Sequence, residues 1–289
     1  METASDIKNS IKAIQQISQI TNAMKLISTS KMTRAVQRYE ANLLYFDRVR
    51  AVLKDLVTNT EDLHHAYLTP NEEGVPAYIV VAADKGLCGG YNHNVLNFAY
   101  NLMKPGDKFV VTIGQETRAF FERKNVMIDV EYLHMVQQPT LYEARNLTND
   151  ICRMYRDKLI NEATLVYTRY YSRVQQAPVA LKLLPVNAED FADIESYTDY
   201  SADFSYHPSR RMVFDTLVPQ YILGLVYGAL VQATASENSA RLMAMDTASK
   251  NADEMITALR MQLNHARQQA VTREITEIVS AVEALAEED

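Results

Sequence analysis

A chain of 289 residues, 47% apolar and 22% charged, can bury the sizeable core of one large domain or two modest ones. Two cysteines, Cys88 and Cys152, are too few for a disulfide scaffold and fit a reducing compartment, and a net charge of −7 argues against non-specific binding to the phosphate backbone of nucleic acid. The N-terminus lacks the apolar core of a signal peptide, and the longest apolar candidate, 217–231, is broken by Pro219, Gln220, Gly224 and Gly228, so neither secretion nor membrane insertion is expected.

Residues 1–69 contain no glycine and no proline. Proline in a helix interior costs about 3 kcal/mol and glycine about 1, so this segment reads as one long helix. Its apolar stripe is Ile7, Ile11, Ile14, Ile17, Ile20, Met24 and Ile27. That spacing averages about 3.3 residues, under the coiled-coil value of 3.5, and predicts local overwinding. Beyond Ile27 the stripe weakens through Ser28, Thr29, Ser30 and Lys31.

Residues 70–208 alternate periods: strands at 78–83, 108–113 and 126–134, helices at 95–103, 117–123 and 141–160, then two β-rich runs at 164–173 and 177–184. The alternation predicts a Rossmann-like α/β domain with a mostly parallel sheet. After the first strand comes DKGLCGG, 84–90, a glycine loop of the kind that cradles phosphate. Its spacing is G-x-x-G-G, however, not G-x-G-x-x-G, and Lys85 precedes the loop where a phosphate loop ends in Lys and Ser or Thr. The reading is therefore a tight turn whose glycines let the chain pack closely, with Cys88 as a small apolar filler.

Nothing else in the chain carries chemistry. His64 and His65 are adjacent, so they cannot share a helix face, and His93, His134, His207 and His265 are scattered without zinc-like spacing. Asp129 and Glu131 alternate on one side of a strand, an unspecific pattern, and no G-x-S-x-G elbow occurs. No catalytic residue, cofactor or metal is expected.

Residues 229–289 are again free of glycine and proline, with a stripe of Met245, Ala248, Ala252, Met255, Leu259, Leu263, Ala266, Ala270, Ile275, Ile278, Val282 and Leu285. At 1.5 Å per residue such a helix would reach roughly 90 Å, too long for one globule to bury. Its partner is then the N-terminal helix, and because the two ends flank a compact insert the pairing is antiparallel. The expected organisation is a coiled-coil helix at 1–69, an α/β domain at 70–208 and a second coiled-coil helix at 209–289.

Four stretches taken together, QITNAMKLISTSKM (19–32), DKGLCGGYN (84–92), SENSARLMAMDTASKNADEM (236–255) and NHARQQAVTREITEIVSA (264–281), resemble the gamma subunit of F-type rotary ATP synthases, in order and along the whole chain. The resemblance implies a non-catalytic rotor: a two-helix shaft inside the hexamer of alpha and beta subunits, with the α/β domain at its foot contacting the epsilon subunit and the c-ring. It implies a bacterial complex on the cytoplasmic face of the plasma membrane. It also implies positions that meet the alpha and beta subunits: Met24, Lys25, Lys85, Cys88, Glu237, Arg241, Arg267, Gln268, Thr272 and Glu274. Arg267 and Gln268 match the pair that catches an empty beta subunit, Met24 faces its lever, and Tyr206 and His207 lie towards the foot. For Glu237, Arg241, Thr272 and Glu274 the alternative is that they merely stabilise the coiled coil through i,i+4 pairs such as Glu237 with Arg241. Departures from the family pattern are Asn22 and His265 for Lys, Asp246 for Lys, Arg273 for an amide and Lys85 for Arg, along with the acidic balance. The rival readings are a nucleotide-dependent α/β enzyme with a coiled-coil arm and a passive coiled-coil scaffold.

Overall fold

The computed structural model describes residues 4–58, 65–69, 71–191, 207 and 209–286. Helix α1 spans Ala4–Thr58 and helix α5 spans Arg210–Ala286. Contacts divide the chain into two compact units, residues 1–27 with 242–289, and residues 28–241.

In α1 the least exposed positions follow alternating steps of four and three: Ile7, Ile11, Ile14, Ser18, Thr21, Lys25 and Ser28, continuing through Met32, Ala35, Tyr39, Asn42, Phe46, Val49, Leu53 and Leu56. This is a regular heptad rhythm, so the overwinding inferred from the isoleucines is absent. The isoleucine stripe leaves the seam after Ile14: Ile17, Ile20 and Ile27 are 53%, 59% and 56% exposed, while Ser18, Thr21 and Ser28 are buried in their place. Small hydroxyl side chains allow close helix approach, and Thr21 satisfies its hydroxyl on the Ser18 carbonyl.

The first unit is an antiparallel helix pair. Ser18 Oγ lies 3.5 Å from Asp253 Oδ1, Ser249 Oγ donates to Asn22 Oδ1 at 3.2 Å, and Lys25 Nζ bonds Asp246 Oδ1 at 2.5 Å. Steps of four and three forward in α1 are matched by equal steps back in α5. The α5 side of the seam is Met245, Ser249, Ala252, Ile256, Leu259, Leu263 and Ala266, again in steps of four and three. Ser249 and Ile256 thus replace the expected Ala248 and Met255, and Met255 is exposed. By this register Ala4 stands level with Arg267. Each residue from Ala270 to Ser280 is exposed, including Ile275 and Ile278, which the sequence pattern had placed in the seam.

The second unit holds a five-stranded sheet of order β3-β2-β1-β4-β5. Strands β1 (Val75–Val81), β2 (Phe109–Ile113), β3 (Val130–Tyr132) and β4 (Ile160–Tyr170) run parallel, and β5 (Gln176–Leu184) is antiparallel to β4. Helices α2 (Tyr91–Leu102), α3 (Gln115–Arg123) and α4 (Leu141–Arg156) make the crossovers. The expected alternation is therefore present, with shifted boundaries. Helix α4 opens on a capping box between Thr140 and Glu143 and stops at Arg156, so Ile160 begins β4 instead of ending the helix. Strand β3 is short; Asp129 accepts the Val110 amide at 2.7 Å and Glu131 pairs with Arg118 at 3.3 Å, which gives both acids structural tasks.

Helix α5 runs without interruption through 217–231, including Pro219. Burial outweighs propensity here: Phe214, Val218, Ile222, Val226 and Leu230, each four apart, are fully buried in the second unit. Among the described residues, α5 is the one helix long and apolar enough to cross a membrane, and just over half of its most apolar window is buried inside the protein. Gly224 is required by packing, because a Cβ there would overlap the Phe46 ring.

Gly224→Ala gains about 1 kcal/mol of helix propensity but overpacks against Phe46, so a net loss of about 1–2 kcal/mol in urea unfolding is expected. In a Phe46→Ala background the same substitution becomes neutral or stabilising; an equal loss in both backgrounds would refute the contact.

Candidate functional site

In open parallel sheets, ligands bind beyond the carboxyl ends of the strands where strand order reverses, here between β1 and β4. That crevice is filled by α5. The Tyr91 hydroxyl donates to the Ala233 carbonyl at 3.3 Å, Ser236 Oγ donates to the Thr168 carbonyl at 3.0 Å, and Ala240 packs on Ala83, Cys88 and Tyr91.

The loop after β1 is held from both sides. Asp84 Oδ1 accepts the Gln115 amide at 3.2 Å and the His134 amide at 3.3 Å, which ties the loop to the N-terminus of α3. Asn92 accepts the Ala83 amide at 3.0 Å, and Tyr91 N bonds back to Cys88 O at 3.2 Å. The Arg241 guanidinium donates to the carbonyls of Lys85 at 3.3 Å and Gly86 at 3.1 Å. A phosphate cradle offers amide donors, whereas this loop presents acceptors to a cation. The glycines do not serve close packing as expected: space around Gly86 and Gly89 is open, and only Gly89 needs its positive φ of 58°. Close approach falls on the next turn instead, at Gly114 with φ 97°, where a Cβ would meet the Ala82 carbonyl.

Glu237 and Arg241 form the i,i+4 pair that their spacing suggests, at 2.6 Å with both side chains 11% exposed. Burial pushes the Glu237 carboxyl up, and Arg241 opposes it without cancelling it. Burial also raises the Cys88 thiol, which suits an inert filler more than a reactive group. Lys85, Cys88, Glu237 and Arg241 thus converge on one loop–helix junction, with Leu87 exposed at its tip.

A family model described as ATP synthase matches residues 3–285. The ATP synthase gamma chain of Alkaliphilus metalliredigens (strain QYMF) is 37% identical over 282 residues, covering 97% of this chain and 98% of its own. The chain belongs to the ATP synthase gamma chain family. The gamma chain of Ruminiclostridium cellulolyticum is likewise 37% identical over 287 residues, covering 97% and 98%. A chain of the Euglena gracilis mitochondrial ATP synthase, solved with OSCP, F1 and c-ring, shares the fold at a TM-score of 0.68 with 14% identity, covering 98% of this chain and 94% of its own.

In the first unit, Met24 and Lys25 are half-buried. Lys25 faces Asp246, which also accepts from Lys250 at 2.9 Å. The Asp246 carboxylate is therefore the centre of an ion-pair cluster, whose Lys250 arm is an i,i+4 pair and whose Lys25 arm is visible only once the register is known. Arg267, Gln268, Thr272 and Glu274 are exposed, and their side chains make no hydrogen bond or ion pair among the described residues. His207 is exposed, and Tyr206 lies outside the described residues.

Hydrogen bonds from Lys25 and then Lys250 hold the Asp246 carboxyl down at about 2. A depressed acid stabilises the fold above the ordinary Asp range and loses that contribution as pH falls from about 4 towards 2. Carboxyl NMR titration should give a midpoint near 2 for Asp246, rising towards the usual value in Lys25→Ala with Lys250→Ala; an ordinary midpoint in the parent chain would refute the cluster.

Proposed function

We propose that the chain is the central rotor shaft of an F-type ATP synthase, coupling c-ring rotation to ATP synthesis and hydrolysis in the alpha/beta hexamer while itself catalysing nothing. The observation that carries this reading is the outward surface of the first unit. Ile17, Ile20, Ile27, Met255, Ile275 and Ile278 are exposed there, a burden that a lone soluble chain rarely bears and that a surrounding apolar sleeve would relieve. Beside them Arg267, Gln268, Thr272 and Glu274 stand ready for an external partner, in a family whose members are ATP synthase gamma chains.

A rotor changes catalytic affinity only by contacting different beta conformations differently. Arg267 and Gln268 suit the catch on an empty beta subunit: a guanidinium fork makes directional, charge-assisted bonds that hold an angle and still release. Met24 suits a sliding contact with the beta lever, being unbranched and without fixed geometry. Lys25 presents charge to the same region while anchored by Asp246. Lys85, Cys88, Glu237 and Arg241 brace the junction that faces the beta subunits, and Thr272 and Glu274 extend the contact surface along α5. The segment with Tyr206 and His207 would meet the epsilon subunit and c-ring. The complex would sit peripherally on the cytoplasmic face of a bacterial plasma membrane, held by its partners.

The nucleotide-enzyme alternative is disfavoured by the α5-filled crevice and by a loop that turns carbonyls inward. A passive scaffold would not depend on single polar residues. Charge-assisted bonds are worth about 1.5–3 kcal/mol, so Arg267→Ala with Gln268→Ala should lower proton-driven ATP synthesis by the assembled complex roughly tenfold or more. Unchanged synthesis in a fully assembled complex would overturn the assignment.

A further inference from the structure

A cavity of about 300 Å³ opens in the second unit between α1, α5 and the β4–β5 pair. Its volume matches the lower range of small-molecule sites. Gly224 and Gly228 lie on the α5 side beside Leu225, Ala229 and Gln232, and Tyr39, Phe46 and Tyr221 supply aromatic surface. The charged lining is uneven. Arg50, Arg169 and Lys182 face it against Asp47 and Asp190, which leaves one net positive charge.

Arg169 is the decisive group. It is half-buried, donates from Nε to the Tyr167 hydroxyl at 3.3 Å, and has no carboxylate partner among the described residues. Taking a guanidinium partly out of water without a counter-charge is costly, and a bound anion would offset that cost. Arg50 is held nearby by its bond to the Asp190 carbonyl at 3.0 Å. Burial pushes the Tyr39 hydroxyl up, Tyr167 and Asp47 add to it, and Arg169 and Arg50 oppose it without cancelling it.

We propose that this cavity binds a small aromatic monoanion, an aryl carboxylate, with its ring against Tyr39, Phe46 and Tyr221 and its carboxylate on Arg169. The single net positive charge and the compact volume select a monoanion over a nucleoside triphosphate. The proposal is independent of the rotor reading.

Calorimetric titration of the full chain with 1-naphthoate tests it, with 1-naphthol, acetate and ATP as controls. The expected result is one saturable site with a Kd below about 1 mM, at least roughly tenfold weaker for each control. Arg169→Gln and Gly228→Leu should each weaken 1-naphthoate at least tenfold, one by removing the charge and the other by filling the space. Arg169→Gln decides alone if the leucine variant fails to fold, and Arg169→Met, which removes the charge and keeps the apolar stem, serves should Arg169→Gln melt early. No saturable binding up to about 10 mM, equal affinity for 1-naphthol, or unchanged affinity in the charge-removing variant would overturn the proposal.

Discussion

Close approach of two helices through small seam residues is the constraint on which the first unit depends. Ser18 and Thr21 on α1, and Ser249 and Ala252 on α5, occupy the positions where a stronger coiled coil would carry leucine. Burying a leucine contributes about 1.5–3 kcal/mol, and burying a serine contributes far less, so apolar area alone holds this seam weakly. Cross-helix polar bonds fix its register in compensation: Ser249 to Asn22 and Lys25 to Asp246. The large isoleucines are thereby left outside, where they can serve a partner instead of the chain's own core.

The second unit applies a similar economy to an α/β sheet. Its strand order creates the crevice that other open sheets use for ligands, yet α5 occupies it with Tyr91, Ser236 and Ala240 as contact points. The glycine loop is then a bracket. Asp84 fastens one side of it to α3, and Arg241, itself paired with Glu237, fastens the carbonyls of the other.

Much of the fold was legible in the sequence because glycine and proline are costly in helices and because strand and helix periods alternate. The register was not. Isoleucine draws attention in any hydrophobic pattern, so Ile17, Ile20 and Ile27 read as seam, whereas the true seam uses serine and threonine, which carry no apolar signal. Pro219 and Gly224 interrupt the apolar run of α5, yet the helix continues through them, held by the burial of Val218 and Ile222 and by the fit of Gly224 against the Phe46 ring. The proposed contact residues were legible only through resemblance to a family. Their geometry needed the structure: the i,i+4 bond of Glu237 to Arg241 was foreseeable from spacing, but the pairing of Lys25 with Asp246 spans 221 residues.

The claim that these isoleucines serve a partner is open to direct measurement with spin labels at Ile20, Ile27 and Thr21. In the isolated chain, labels at Ile20 and Ile27 should be mobile and open to a soluble relaxation agent, while the Thr21 label is immobilised. On assembly with the alpha and beta subunits, the two isoleucine positions should become protected. Labels at Ile20 and Ile27 that are already buried in the isolated chain, or that stay fully accessible in the assembled complex, would contradict the account.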